Sequence, residues 1–285
     1  MNKAPDTSPI RELLRQAAQR INSDSPRLDA EVLLAHVLDK PRSHLLAWPD
    51  RIPNTAQQAR YRELIERRAD GEPVAYITGE REFWSLPVTV THDTLIPRPE
   101  TETLVAMALE QLPPDQHARI ADLGTGSGAI ALAIAHERPA CHILACDRST
   151  AALAIAAYNA RQLQLNNIDF ASGDWCEALA GGCFDLIVSN PPYIPAADKH
   201  LARGDVRFEP QDALVAGDEG LDDIRRIAAC ARSHLRDNAL LILEHGFDQR
   251  EPVRRILAEH GYRDIVCNND LAGQARVTLC RNGRD

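Results

Sequence analysis

The sequence predicts an α/β protein, a mostly parallel seven-stranded sheet with an antiparallel last strand, preceded by a small helical bundle. Three observations carry this. Beyond residue 118, short apolar runs alternate with amphipathic stretches, the signature of a parallel sheet with right-handed crossovers. The last two apolar runs are separated by a turn too short for a crossover, so they close the sheet as an antiparallel pair. The first 70 residues show helical periodicity without any strand alternation.

The elements follow in order. Ile10, Leu13, Leu14, Ala17, Ala18 and Ile21 fall on one helical face, with Ser8 suited to a cap and Pro9 to the first helical position. A second helix spans 26–39 and stops at Pro41; a third spans 54–69 and ends near Gly71. Phe83, Leu86, Val88 and Val90 alternate as in a half-buried hairpin, and LIPRPETETLV (95–105) turns on two prolines before a helix over 100–110. Strands are expected at 118–123, 142–147, 167–171, 184–189 and 239–244, with helices at 128–137, 149–164, 221–235 and 248–260. The closing pair is 262–268 and 275–281. These boundaries divide the chain into a helical domain over 1–75, a hairpin linker over 76–100 and a catalytic domain over 101–285.

Composition excludes several classes. The 285 residues, at about 150 per domain, suggest two domains with a sizeable core. The formal net charge is −9; residues 1–90 are neutral, and 91–285 hold 19 basic against 28 acidic side chains. Phosphate affinity comes mainly from clustered Lys and Arg, so a general nucleic-acid binder is disfavoured. No apolar stretch approaches the ~20 residues of a membrane span. The N-terminal MNKAPDTSPIRELL lacks an apolar signal core, so a cytoplasmic location is expected. The seven cysteines form no C-x-x-C and the ten histidines no ligand spacing, so reduced, mostly buried thiols and no metal site are expected.

Two segments carry chemistry. Asp122-Leu123-Gly124-Thr125-Gly126-Ser127-Gly128 follows a strand and opens a helix, where glycines let a ligand lie against bare peptide. The spacing is G-x-G-x-G, without the G-x-G-x-x-G of a dinucleotide site or a following G-K-[ST], so a phosphate cradle is disfavoured. Asp147 ends the second strand, placed either for a ribose diol or as a helix cap; Gly173-Asp174-Trp175 ends the third, with Trp175 either an adenine platform or a packing aromatic. Together they describe a nucleoside pocket without a pyrophosphate clamp, which suits S-adenosylmethionine (SAM).

The sharper feature is Ser189-Asn190-Pro191-Pro192-Tyr193 after the fourth strand, at the point where a doubly wound sheet reverses its order. Asn190 Oδ1 and the Pro191 carbonyl are placed to accept both hydrogens of one planar NH₂ group, with the Tyr193 ring as a stacking face. That arrangement suits methylation of an amide or amino nitrogen, and glutamine, adenine N6 and cytosine N4 all qualify.

These segments, with EPVAYITG (72–79), FWSLPVTV (83–90), LIPRPETETLV (95–105), FEPQDAL (208–214) and LEHGFDQ (243–249), closely resemble the PrmC/HemK family of N5-glutamine methyltransferases acting on class-1 peptide chain release factors. The resemblance implies a class I SAM-dependent methyltransferase of Rossmann-like fold. It implies SAM contacts from Gly124, Thr125, Gly126, Ser127, Gly128, Asp147, Trp175 and Asn190, and a substrate glutamine held by Asn190, Pro191, Pro192 and Tyr193. Asn190, Pro191 and Tyr193 are then the catalytic set, the substrate is the glutamine of the Gly-Gly-Gln loop, and the helical domain helps dock the release factor. The competing readings are a ribosomal-protein glutamine methyltransferase, an adenine-N6 DNA methyltransferase, and a translation-associated binder that uses SAM only as a ligand. Many members carry glycine where this chain has Ser85. Arg98 and Glu100 read either as active-site border or as an ion pair fixing the turn. Glu209 reads as substrate-facing or as part of a capped loop, and the excursion over 195–220 as a binding lid.

Overall fold

The computed structural model describes residues 8–202 and 204–283. The chain divides into two compact units, one formed by Met1–Glu80 with Lys199–Phe208, the other by Arg81–Asp198 with Glu209–Asp285.

The first unit is helical: α1 (Ile10–Arg20), α2 (Pro26–Leu38), α3 (Arg42–Ala47), α4 (Thr55–Ala69) and α5 (Val74–Thr78). The expected apolar face of α1 is buried at Ile10, Leu13, Leu14 and Ala17 and meets Leu33, Leu34, Tyr61 and Leu64 in one core. Pro9, extended at φ −70°, occupies the N-cap rather than the first helical position, so α1 begins one residue later than its sequence suggests. A reciprocal Asn54–Gln57 capping box starts α4. The short helices α3 and α5 have too few residues to show a period, and the sequence did not reveal them. Arg68, only 6% exposed, pairs with Asp29 at 2.8 Å and with Asp205 at 2.9 Å. That ion pairing fixes part of the expected lid, Lys199–Phe208, within the helical unit.

In the second unit the hairpin β1 (Glu80–Phe83) and β2 (Leu86–Thr89) buries Phe83, Leu86, Val88 and Val90 as the alternation predicts. After it come α6 (Glu102–Glu110), β3 (Arg119–Leu123), α7 (Ala129–Glu137), β4 (His142–Asp147), α8 (Thr150–Gln162), β5 (Ile168–Ser172), β6 (Phe184–Ser189), α9 (Asp222–His234), β7 (Leu235–Glu244), α10 (Arg250–Glu259), β8 (Tyr262–Asn269) and β9 (Ala275–Asn282). The sheet order is β5-β4-β3-β6-β7-β9-β8, parallel from β5 to β7 and antiparallel at β9. The order therefore reverses beside β3, and ligands of such sheets bind at that point, outside the carboxyl ends of the strands. Asn159 of α8 fastens the hairpin to the glycine loop. Its Oδ1 accepts from Thr89 N at 3.0 Å, and its Nδ2 donates to Thr89 O and to Ser127 O at 3.0 and 2.9 Å.

One expectation fails. Cys176 and Cys230 are joined by a disulfide, whereas all seven cysteines were expected reduced. Cys176 sits in the 3-10 turn Trp175–Leu179 and Cys230 on α9, 54 positions apart. Their approach depends on tertiary packing that residue spacing does not encode. Among the described residues no helix is long and apolar enough to cross a membrane, and no cluster suited to a metal ion is present.

Candidate active site

A cavity of about 540 Å³ opens at the carboxyl ends of β3, β4, β5 and β6. Its floor is the glycine loop. Gly124 and Thr125 both donate backbone N–H to the Cys146 carbonyl at 2.9 Å, which folds the loop back over β4. Gly124 has φ +72°, and a Cβ there would stand 3.0 Å from the Trp175 ring. Glycine is therefore required both by conformation and by the aromatic ring lying against it. Behind the loop, the Thr125 hydroxyl donates to Asp122 Oδ2 at 2.6 Å. Asp122 is fully buried, and burial pushes its pKa up to about 7 despite that hydrogen bond.

Asp147 faces the cavity and is not the cap of α8. It lines the cavity, while Oδ2 accepts from Gly126 N and Oδ1 from Ser149 N, each at 2.9 Å. A carboxylate oxygen has two acceptor directions, so both retain capacity for a ligand hydroxyl. The helix cap itself belongs to Ser149, whose side chain accepts from Ala152 N at 3.1 Å. Trp175 adopts φ 50°, a left-handed conformation costly for a bulky residue, and its indole N–H donates to Asp223 Oδ1 at 3.0 Å. That bond and the Cys176–Cys230 disulfide fix the ring against α9. The cavity wall carries five aspartates (Asp93, Asp147, Asp174, Asp212, Asp223) and one arginine, Arg148. Arg226 pairs with Asp174 and Asp223, and Arg148 with Asp212. The wall remains acidic, which suits a cationic ligand and opposes a pyrophosphate.

The Asn-Pro-Pro-Tyr turn is tied to the loop at its root, because the buried Ser189 hydroxyl donates to the Leu123 carbonyl at 2.7 Å. Asn190 Nδ2 donates to Thr101 Oγ1 at 3.2 Å, which leaves Oδ1 as the amide's open acceptor. Among the described residues no donor bonds the Pro191 carbonyl. At the far end, the Tyr193 hydroxyl donates to Glu244 Oε1 at 3.2 Å, and the Tyr193 carbonyl accepts from Gln249 Nε2 at 3.0 Å. Burial, then the nearby Glu244 charge, pushes the Tyr193 pKa up, so it stays a neutral phenol. Arg98 forms an internal ion pair, but its partner is Glu209 and not the Glu100 that the sequence suggested. Glu209, 4% exposed, also accepts from Ile96 N at 3.0 Å, pinning LIPRP to FEP. Glu100 is exposed.

Of the residues expected at the site, Gly124, Gly126, Asp147, Trp175, Asn190 and Pro192 line the cavity. Thr125, Ser127 and Gly128 lie behind the loop, buried or at the start of α7, and shape it without facing the cavity. Pro191 is buried and Tyr193 half-buried, neither on the cavity wall. His92, Asp93, Thr94 and Leu95 also line the cavity, with Pro210, Asp212, Ala213 and Asp223. In the sequence only LIPRPE and FEPQDAL pointed to these segments; His92, Asp93, Thr94 and Asp223 are brought in by long-range folding.

Residues 12–79 match the PrmC N-terminal domain family and residues 101–205 the methyltransferase small domain family. A release factor glutamine methyltransferase of Escherichia coli (strain K12) is 50% identical over 269 residues, covering 94% of this chain and 97% of its own length. Proteins of the same description from Coxiella burnetii and Vibrio cholerae are 49% and 52% identical, covering 96% and 92% of this chain and 99% and 91% of their own. Among solved structures, a methyltransferase from Pyrococcus furiosus superposes with a TM-score of 0.51 at 16% identity, over 70% of this chain and 90% of that one. The hMettl16 catalytic domain gives 0.55 at 16% identity, over 83% and 86%. At such identities these two establish the Rossmann-like methyltransferase fold alone. Near 50% identity over almost the whole length, the chain belongs to the release factor glutamine methyltransferase family.

Proposed function

We propose that this enzyme transfers a methyl group from SAM to the side-chain amide nitrogen of the glutamine in the Gly-Gly-Gln loop of class-1 peptide chain release factors. The observation that carries this reading is the open Oδ1 of Asn190, held at the rim of the cavity by the Asn190–Thr101 bond.

The residues present fit SAM. Glycine-loop backbone without a Cβ at Gly124, the Trp175 ring over it, the acceptor capacity of Asp147 and an acidic wall suit a nucleoside that carries positive charge and no phosphate. Bound there, SAM supplies an electrophilic methyl group on a sulfonium. The chain's own task is to present the acceptor nitrogen. An amide lone pair is delocalised and weakly nucleophilic, so orientation counts for much of the rate, up to ~7–11 kcal/mol in favourable cases. Asn190 Oδ1 and the Pro191 carbonyl accept the two amide hydrogens, orient the nitrogen and support the positive charge that develops on it. No strong base is needed, since the proton becomes acidic on attack and leaves to solvent. Tyr193, at the end of the turn, bounds the glutamine stem.

The test is transfer of labelled methyl from SAM to a release-factor fragment containing Gly-Gly-Gln, beside the same fragment with Gly-Gly-Ala and beside duplex DNA. Label on the first alone is expected. Equal labelling of the two fragments overturns the target residue, and labelled DNA favours the nucleic-acid reading.

A further inference from the structure

The sequence assigns 76–100 to a hairpin linker, and the proposed chemistry gives FWSLPVTV no task. Its exit, however, forms part of the cavity wall. β2 ends at Thr89, and after Val90 the chain turns over Thr91–Thr94, where Thr94 N donates to the Thr91 carbonyl at 3.0 Å. That turn carries His92, Asp93, Thr94 and Leu95 onto the cavity.

Thr89 presents both its N–H and its carbonyl to one side chain. Asn159 Oδ1 accepts from Thr89 N at 3.0 Å and Nδ2 donates to Thr89 O at 3.0 Å, the reciprocal pair that a residue of a neighbouring strand would make. The second Nδ2 hydrogen goes to the Ser127 carbonyl of the glycine loop at 2.9 Å. A flipped amide would set its NH₂ against the Thr89 N–H and its oxygen against two carbonyls, so the orientation is fixed. Asn159 is only 1% exposed, so these bonds are made away from solvent, where leaving a group unpaired is costly.

The surroundings of Asn159 tie it to the site. Ala152, Ala156 and Asn159 share one face of α8. Ala152 lines the cavity, and a Cβ at Gly128 would stand 3.1 Å from the Ala156 methyl, so the end of the loop lies directly on this face. The far end of the hairpin is held independently. Trp84 N donates to Glu102 Oε1 of α6, and the Trp84 indole N–H to Glu137 Oε1 of α7, each at 2.9 Å. The hairpin is thus anchored at its turn by two helices and at its exit by Asn159, which also bonds the loop.

We infer that Asn159 is a positioning residue of the cofactor site. Through it the β1–β2 hairpin sets the separation between the glycine loop and the His92–Leu95 wall, which makes the hairpin part of the SAM site and not a linker. This rests on the reading of the cavity as the SAM site. Asn159 does not itself line the cavity, so it acts through the two segments it joins.

The experiment compares the full chain with Asn159→Ala and Asn159→Asp. The first removes all three bonds. The second keeps an acceptor for Thr89 N but, ionised, sets a carboxylate against the Thr89 and Ser127 carbonyls with no hydrogen to give. By calorimetry both variants are expected to bind SAM about tenfold or more weakly, because the two sides of the site must then come into register during binding. In methyl transfer the KM for SAM is expected to rise likewise, with kcat at saturating SAM and the KM for release factor within about threefold of the parent. A second readout needs no ligand. Hydrogen–deuterium exchange is followed on peptides covering 88–96, 123–130 and β6. In both variants it is expected to quicken in the first two together while β6 keeps the parent's protection. The inference is overturned if either variant binds SAM within about twofold of the parent, or if only one of the two segments loses protection. It is equally overturned if β6 loses as much protection, the pattern of general destabilisation. A parent protein that binds no SAM removes the cofactor reading, and the exchange pattern then decides the role of Asn159.

Discussion

Asp122 and Asp147 stand one on each side of the glycine loop, and the sequence singled out only the second as a ligand contact. Asp147, at a strand end, was legible because its position predicts a polar group facing the crevice. The contribution of Asp122 was not, since a carboxylate in the middle of an apolar strand reads as a boundary residue until its burial is seen. Its pKa, raised to about 7 by burial, has a consequence for stability. The native state holds the proton more tightly than the unfolded chain, so this group's contribution is fully present below the unfolded pKa and is lost as pH rises toward about 7. Asp122→Asn keeps an acceptor for the Thr125 hydroxyl and removes the buried charge. Urea denaturation is expected to show the parent losing stability between about pH 4 and pH 7.5, and the variant losing ~1 kcal/mol or more less over that range. Parallel curves for the two proteins would show that Asp122 is not the group responsible. Trp175 marks the limit of reading single residues: its place in the sequence suggested an aromatic face, but its left-handed backbone and its bond to Asp223 arise from α9 packing.

Among elements, the long periodic ones were readable, and the failures fall where a period cannot be counted. The strands β3, β4 and β6 match their expected runs to within a residue because buried parallel strands are continuous apolar stretches. The short α3 and α5 gave no such signal. The β1–β2 turn explains the glycine that the family resemblance leads one to expect at position 85: Trp84 and Ser85 have φ of 53° and 59°, a left-handed pair that glycine adopts without cost and Ser85 does not. The glycine loop was legible as a ligand-facing turn, but the reason for its first glycine was not, since the close neighbour is a tryptophan 51 positions later. Gly124→Ala adds a methyl 3.0 Å from that ring in a backbone conformation that costs ~1–2 kcal/mol for other residues. The ring or the loop must shift, and SAM affinity by calorimetry is expected to fall about tenfold or more. An unchanged dissociation constant would mean that the loop and Trp175 do not form the nucleoside platform.

For the whole molecule, the alternation of strands and helices was enough to place the site, since it implies the order reversal beside β3 and the crevice at the strand ends. What remained hidden was assembled from afar. The Arg98–Glu209 pair joins segments 111 positions apart, and Glu244 reaches the Asn-Pro-Pro-Tyr turn from the neighbouring strand. The assignment of Lys199–Phe208 to the helical unit likewise follows from the buried Arg68 and not from any local pattern. The net charge acquires a local meaning, because the acidic excess of residues 91–285 includes the five aspartates on the cavity wall. All of these lead to one chemical outcome, a methyl group delivered to a planar amide nitrogen. The most direct test is tandem mass spectrometry of an intact class-1 release factor after reaction with this enzyme and SAM. The account predicts a single added methyl, on the side-chain amide of the Gly-Gly-Gln glutamine; a methyl on any other residue, or on the backbone, would contradict it.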